Sequence, residues 1–219
     1  MERIGNPLDS LTKPNPANSP MTQSEGRRFP DEYYLSGAGV PERYMKACAD
    51  DFKKPLPAMN DHGLFLSGPA GHGKTHMATA VMRANLDLGI WLNDSYFPAH
   101  WHYSGRWIAV PALLSQIKAT FNTKGKGERD VVSGFISPKI LLLDDVGAQK
   151  ESDWSLSVLY EILSERINAM RKTIVTSNLT RDEIDALDPR MGSRIGGMTF
   201  CHVKDKDWRK VTHGARGNG

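Results

Sequence analysis

Residues 63–75 read GLFLSGPAGHGKT, and this stretch decides the fold. It begins as a short apolar run typical of a strand, passes through a loop with three glycines, and continues into HMATAVM, a segment of good helix formers. From Gly68 to Thr75 the spacing matches the pattern G-x-x-x-x-G-K-S/T. The stretch therefore predicts a strand, a phosphate-binding loop and a helix in immediate succession.

The residue types of this loop suit a bound nucleotide. Glycines let the backbone curve so that its N–H groups point at phosphate oxygens, and the following helix adds the positive end of its dipole. Lys74 is expected to reach the β- and γ-phosphates, and the Thr75 hydroxyl is expected to bind Mg²⁺. The predicted nucleotide-binding residues are Gly68, Pro69, Ala70, Gly71, His72, Gly73, Lys74, Thr75 and His76.

The composition restricts the class of protein. A chain of 219 residues that is 39% hydrophobic can bury one substantial core, so we expect one domain with appendages. No apolar run approaches the roughly 20 residues that cross a bilayer, and the N-terminus lacks the apolar core of a signal peptide. Cys48 and Cys201 lie far apart without metal-ligand spacing. These features predict a cytoplasmic protein with reduced thiols and no membrane partner.

Both ends of the chain are polar. Residues 1–30 are rich in Pro, Asn, Ser and Thr, which predicts a disordered arm that is either a docking segment or a linker. The net charge of +3 is too small to indicate nucleic-acid binding by itself, and residues 202–219 carry the whole excess. That basic end is either a solvated terminus or a segment that contacts phosphate. We therefore predict one domain over residues 31–210 and a flexible basic tail over 211–219.

Two segments in the middle of the chain allow more than one interpretation. In residues 91–105, five aromatic residues are interleaved with two histidines. This segment is a packed excursion of the core, a partner contact surface, or a stacking platform for single-stranded nucleic acid. Residues 122–129, with Lys124 and Lys126, form either a loop that follows phosphates or a solvated turn.

A second strong signal is KILLLDD at residues 139–145. A continuous apolar strand is typical of a central parallel strand buried on both faces, and its two carboxylates fall at the end where open α/β sheets place their ligands. We expect Asp144 to hold Mg²⁺ and Asp145 to orient or deprotonate an attacking water.

Later polar residues fit the same site. The β-branched strand at 172–177 ends next to Asn178, whose amide is expected to bond the water or the γ-phosphate. Arg190 and Arg194 are four residues apart and so share a helical face. In a ring of ATPases such a face can meet the γ-phosphate of the neighbouring subunit.

Periodicity predicts the remaining elements. A short helix is expected from Pro41, and longer ones at 74–88 and from Pro111 to about 121. Another is expected from Ser152, with an apolar stripe reaching Met170 that we predict to be core, and two more at 182–187 and 189–195. Further strands are expected at 106–110 and 199–203.

These motifs occur in the order phosphate loop, paired aspartates, Asn178 and arginine pair. With the segments Gly147-Ala148-Gln149, Thr176-Ser177-Asn178-Leu179 and Arg190-Met191-Gly192-Ser193-Arg194, the chain resembles the DnaC/IstB-like AAA+ ATPases over roughly residues 33–210. That family contains bacterial and phage helicase loaders and the related transposition helper ATPases.

The resemblance implies an α/β fold, a three-layer P-loop NTPase of the AAA+, ASCE type, with a mainly parallel five-stranded sheet and an absent or truncated helical lid. It implies ATP and Mg²⁺ as cofactors, with Thr75 and Asp144 as the Mg²⁺ ligands. It also assigns catalytic roles to Lys74, Asp145 and Asn178, the last as sensor I. Arg190 or Arg194 becomes the arginine finger that acts on a neighbouring subunit's ATP.

Three features depart from the family pattern. Asp145 stands where many members have Glu, and its shorter reach suggests slow hydrolysis. Little chain follows Gly197, so a lid arginine of the sensor II type has no secure place, and Arg209 is the candidate. The N-terminal region has no zinc-binding cysteines, so a full helicase-docking domain is not expected.

The resemblance implies an ATPase of DNA replication that grips single-stranded DNA and delivers a replicative helicase. ATP is expected between its own subunits, with hydrolysis that is weak or stimulated by DNA or a partner. Two alternatives stay open: a transposition helper ATPase on duplex DNA, and a nucleotide-stabilised adaptor with little turnover. A small-molecule kinase is disfavoured, because Asp144, Asp145 and Asn178 suit activation of water better than activation of an acceptor hydroxyl.

Overall fold

The computed structural model describes residues 31–86, 90–92, 95–97, 105–121, 127–147 and 152–204. The arm predicted at 1–30, the tail at 211–219, the lysines at 124 and 126 and the candidate Arg209 lie outside these residues. Of the aromatic segment at 91–105, the structure describes a short backbone hairpin and Gly105.

Helices and strands are interspersed along the chain. The helices are α1 (Asp31–Gly37), α2 (Lys74–Asn85), α3 (Val110–Lys118), α4 (Glu128–Ile136), α5 (Asp153–Asn168), α6 (Arg181–Leu187) and α7 (Pro189–Gly196). The strands are β1 (Leu64–Ser67), β2 (Ile90–Leu92), β3 (Ser95–Phe97), β4 (Gly105–Ala109), β5 (Ile140–Val146), β6 (Lys172–Ser177) and β7 (Thr199–His202). None of the described helices is both long and apolar enough to cross a membrane.

Five strands form one sheet in the order β4-β5-β6-β1-β7, and each neighbouring pair is parallel. β2 and β3 pair separately as an antiparallel hairpin. The predicted mainly parallel five-stranded sheet is therefore confirmed. Since parallel strands all end at the same edge, the residues after β1, β5 and β6 come together there.

The sheet lies between two helical layers. Leu141 and Leu143 of β5 belong to one apolar cluster with residues of α3, α4, α5, α6 and α7, whereas Leu142 belongs to a second cluster with residues of α1 and α2. Successive side chains of a strand point to opposite faces, so a strand covered on both faces is apolar throughout. This explains the continuous apolar run of β5 and confirms the three-layer arrangement.

Two local predictions are wrong. The helix expected from Pro41 is a single 3₁₀ turn at Glu42–Tyr44, and the α-helix lies earlier, at α1, because the buried Tyr34 and Leu35 anchor it to the core. Met170, predicted as core, is 62% exposed, because α5 ends at Asn168 and Met170 adopts φ +53°.

Candidate nucleotide site

The phosphate loop joins β1 to α2. Gly73 takes φ +87° immediately before the first helical residue, Lys74, a conformation that glycine adopts without strain. Gly68 passes so close to Val203, the residue after β7, that a Cβ on Gly68 would lie 2.3 Å from the Val203 carbonyl oxygen. These two glycines therefore permit the tight turn that the sequence predicted.

Lys74 is brought together with Asn178, which follows β6. The Lys74 ammonium donates to the carbonyl oxygens of Gly68 at 2.8 Å and Pro69 at 2.9 Å, and to Asn178 Oδ1 at 2.7 Å. The Lys74 side chain is buried, so its charge is held inside the loop. The predicted sensor residue thus contacts the predicted phosphate-binding lysine.

The two predicted Mg²⁺ ligands are also in contact. Thr75 Oγ1 donates to Asp144 Oδ1 at 2.8 Å, and Thr176 Oγ1 donates to the same oxygen at 2.7 Å. Burial raises the pKa of Asp144, while the hydrogen bonds from Thr176 and Thr75 act in the opposite direction. A hydroxyl and a carboxylate are hard oxygen donors of the kind that Mg²⁺ takes beside a nucleotide, so this pair fits that ion.

Asp145 has an unusual backbone that the sequence did not predict. Its φ is +63°, in the left-handed region that a few per cent of non-glycine residues adopt, mostly Asn, Asp and His. The register of β5 against β6 runs from Leu143 opposite Val175 to Val146 opposite Ser177, so β5 carries one extra residue, a β-bulge. The Asp145 N–H donates to Thr176 Oγ1 at 2.9 Å.

These residues line one cleft of about 930 Å³. Its lining includes the phosphate loop from Ala70 to His76, the two aspartates and Asn178. It also includes four residues that precede β1 and that no sequence motif indicated: Arg43, Tyr44, Asp51 and Phe52. His76 contacts this second group, because its Nε2 lies 2.7 Å from Asp51 Oδ2 and its ring centroid 5.7 Å from that of Phe52.

The two predicted arginines lie on α7, outside the lining of this cleft. Arg190 is paired with Asp188, with Nη2 2.7 Å from Oδ2, and its guanidinium carbon lies 5.1 Å from the centroid of the Tyr160 ring. The guanidinium carbon of Arg194 lies 5.8 Å from the same centroid, and a hydrogen bond with Arg194 lowers the pKa of Tyr160. Tyr160 therefore holds both arginines on one surface.

Residues 58–195 match the family model of the IstB-like ATP binding proteins. The replicative helicase loader DnaC of Buchnera aphidicola subsp. Acyrthosiphon pisum is 26% identical over 188 residues, which cover 78% of this chain and 70% of that protein. YqaM of Bacillus subtilis, an uncharacterized protein, is 29% identical over 70% of this chain and 45% of its own length. DnaC of Escherichia coli K12 is 26% identical over 62% of this chain and 49% of its own. The chain thus spans about half the length of the last two relatives.

Solved structures share the fold. A crystal structure of the DnaC helicase loader aligns with a TM-score of 0.56 and 24% identity, covering 75% of this chain and all 100% of that one. AMPPCP-bound DnaA from Aquifex aeolicus aligns with a TM-score of 0.53 and 17% identity, covering 69% of this chain and 44% of that one. The predicted α/β fold with a mainly parallel sheet is therefore confirmed.

Proposed function

Since the chain belongs to the family of IstB-like ATP binding proteins, with the DnaC/IstB-like AAA+ fold, we propose that it hydrolyses ATP and loads a replicative helicase onto single-stranded DNA. The proposed ATPase activity rests on two hydrogen bonds, in which Thr75 donates to Asp144 and Lys74 donates to Asn178. They unite four side chains from three separate parts of the chain at the end of the sheet where a nucleotide belongs.

Each of these residues has a proposed role. The N–H groups of the loop and the Lys74 ammonium bind the phosphates, and Thr75 and Asp144 hold Mg²⁺. When bound there, Mg²⁺ would neutralise part of the phosphate charge. Asp145 orients or deprotonates the attacking water, and Asn178 positions that water or the γ-phosphate.

The helicase partner is proposed from the names of the relatives, several of which are replicative helicase loaders. A protein that delivers such a helicase acts where the two strands are open, so single-stranded DNA is the expected nucleic acid. The transposition helper on duplex DNA and the adaptor with little turnover are the competing functions, and both make different predictions for DNA-dependent hydrolysis.

One described surface suits stacked bases. Phe121, just after α3, is 52% exposed, and its ring centroid lies 5.5 Å from that of Trp154, edge to face. The Lys118 ammonium lies 5.2 Å from the Trp154 centroid, so a cation and two aromatic rings stand together. Aromatic rings beside basic side chains are the usual contacts of single-stranded nucleic acid.

ATP hydrolysis by the purified protein, alone, with single-stranded DNA and with duplex DNA, tests this function. We expect stimulation by single strands, and Asp145→Asn supplies the background rate, since asparagine tolerates a left-handed backbone. Phe121→Ala is expected to raise about tenfold the concentration of single strands needed for half-maximal stimulation, because stacking on one ring contributes roughly 1–3 kcal/mol. Phe200→Ala removes a ring that is 43% exposed elsewhere and is the matched control.

The outcomes separate the candidates. Stimulation by duplex DNA in place of single strands would favour the transposition helper. A rate equal to that of Asp145→Asn under all three conditions, with ATP still bound, would favour the adaptor. Equal effects of Phe121→Ala and Phe200→Ala on the DNA concentration for half-maximal stimulation would refute the proposed stacking surface.

We also propose that Arg194, rather than Arg190, acts on the ATP of a neighbouring subunit. The Arg190 partner, Asp188, is 5% exposed and accepts from the backbone N–H groups of Arg190 and Met191, so Arg190 completes a helix cap. Arg194 contacts the uncharged Tyr160 side chain, whereas Arg190 is paired with a carboxylate, so we expect Arg194 to be the more readily released cation.

A mixing experiment tests this assignment. Arg194→Ala and Lys74→Ala are each expected to be inactive alone, whereas an equimolar mixture regains activity at about one interface in four, because a head-to-tail site takes one part from each subunit. Arg190→Lys, which keeps a cation beside Asp188, is the control and should stay active alone. A mixture as inactive as its components, with assembly verified by sedimentation in ATP, would contradict a shared site.

A further inference from the structure

Two consecutive side chains at the end of β6, those of Thr176 and Ser177, form hydrogen bonds with the bulged end of β5. Thr176 Oγ1 donates to Asp144 Oδ1 at 2.7 Å and accepts from the Asp145 N–H at 2.9 Å. Ser177 Oγ donates to the Val146 carbonyl oxygen at 2.6 Å, beyond the bulge. One hydroxyl, that of Thr176, therefore touches both members of the aspartate pair.

This contact lies where the backbone needs support. Positive φ is unfavourable for residues that carry a Cβ, less so for aspartate and asparagine than for the others, and it persists where the surroundings support it. Asp145 is such a residue, and it lines the cleft. The Thr176 side chain is 0% exposed, and a β-branched side chain has few χ1 rotamers, so its hydroxyl is a fixed point.

We propose that Thr176 is a positioning residue for hydrolysis, whose hydroxyl fixes the Asp144 carboxylate and holds Asp145 in the left-handed conformation that places it in the cleft. The inference rests on the proposed ATPase function. It assigns a reason to the bulge: the extra residue turns Asp145 toward the cleft while Asp144 stays buried, and Thr176 joins the two.

Two substitutions separate this role from simple packing. Thr176→Val keeps the shape and removes the hydroxyl, whereas Thr176→Ser keeps the hydroxyl and removes a methyl group. We expect Thr176→Val to lower kcat about tenfold, because the two hydrogen bonds between Thr176 and the aspartate pair are lost. The affinity for ATP in the absence of Mg²⁺ should change by no more than about twofold. Thr176→Ser should keep a rate near that of the wild type. If packing alone mattered, Thr176→Ser would be the more damaging change.

A second measurement does not depend on activity. Amide hydrogen exchange at Asp145, followed by NMR, is expected to speed up at least about tenfold in Thr176→Val and to stay slow in Thr176→Ser, since only the former removes the acceptor. Thr79→Val is the matched control, because it removes a buried hydroxyl that donates to the Thr75 carbonyl within α2.

The outcomes separate the role of Thr176 from the proposed ATPase activity. Unchanged exchange at Asp145, or an unchanged kcat in Thr176→Val with an active wild type, overturns the role of Thr176 alone. Wild-type hydrolysis no faster than that of Lys74→Ala, with or without DNA, overturns the proposed ATPase, and the positioning role with it.

Discussion

Replacing Lys74 with alanine is expected to weaken ATP binding about 100-fold and to reduce hydrolysis to background. Two charge-assisted hydrogen bonds to phosphate oxygens, at roughly 1.5 kcal/mol each, account for that factor. The structure gives a second reason, because the ammonium also bonds Gly68, Pro69 and Asn178 and so fixes the loop and the sensor residue together. The alanine variant loses both the phosphate contact and this preorganisation.

Titration of a fluorescent ATP analogue measures the effect. Lys54→Ala, which removes an exposed lysine outside the cleft, is the matched control and should bind like the wild type. Cooperative unfolding of both variants shows that the domain is intact. Equal affinity of Lys74→Ala and the wild type would refute the assignment of the phosphate site.

Replacing Arg166 with methionine is expected to lower the free energy of unfolding by about 4 kcal/mol, because a fully bonded buried cation is lost. Arg166 lies in α5 and is 0% exposed. Its guanidinium donates to Thr173 Oγ1 and to the carbonyl oxygens of Phe135, Ile136, Pro138, Lys139 and Lys172. Burial lowers the pKa of Arg166 to about 9, which still leaves it charged at pH 7.

The arrangement explains the size of the effect. The carbonyls of Phe135 and Ile136 lie at the end of α4, where the helix dipole favours a cation, and the others lie where β5 and β6 begin. One side chain therefore ties a helix to two adjacent strands. Methionine removes the guanidinium donor from these oxygens. The Ile136 carbonyl keeps Arg171 Nη1 as a donor at 2.9 Å, and each oxygen that is left unsatisfied costs roughly 1–3 kcal/mol before the site relaxes.

Urea unfolding monitored by circular dichroism measures the change. Arg166→Lys is expected to lose nearly as much, because three ammonium donors at one point cannot replace a planar fork. Arg129→Met, on an exposed position of α4, is the control and should shift the free energy by less than about 0.5 kcal/mol. A loss below about 1 kcal/mol in Arg166→Met would contradict this account.

Arg166 also illustrates what helical periodicity conveys. It lies three residues after Leu163 and seven after Leu159, so its position belongs to the apolar stripe of α5. Arginine side chains are mostly exposed in folded proteins, whereas this position on the helix faces the core. Arg166 can be buried because six oxygen atoms accept hydrogen bonds from its guanidinium. These oxygens belong to residues 6 to 31 positions away in the chain.

The sequence by itself determined the sheet, the phosphate loop and the aspartate pair, because each depends on local patterns: glycine spacing, a continuous apolar run, and polar residues at strand ends. Parallel strands then bring those ends to one edge, so the contacts of Thr75 with Asp144 and of Lys74 with Asn178 follow from topology. The family resemblance named the same residues.

Only the tertiary structure decided the left-handed Asp145, the Thr176 hydroxyl between the two aspartates, the wall of the cleft formed by Arg43, Tyr44, Asp51 and Phe52, and the burial of Arg166. These features arise from hydrogen bonds and packing between segments far apart in the chain. Local propensity is silent on such contacts, because their free energy appears only when the strands and helices have met.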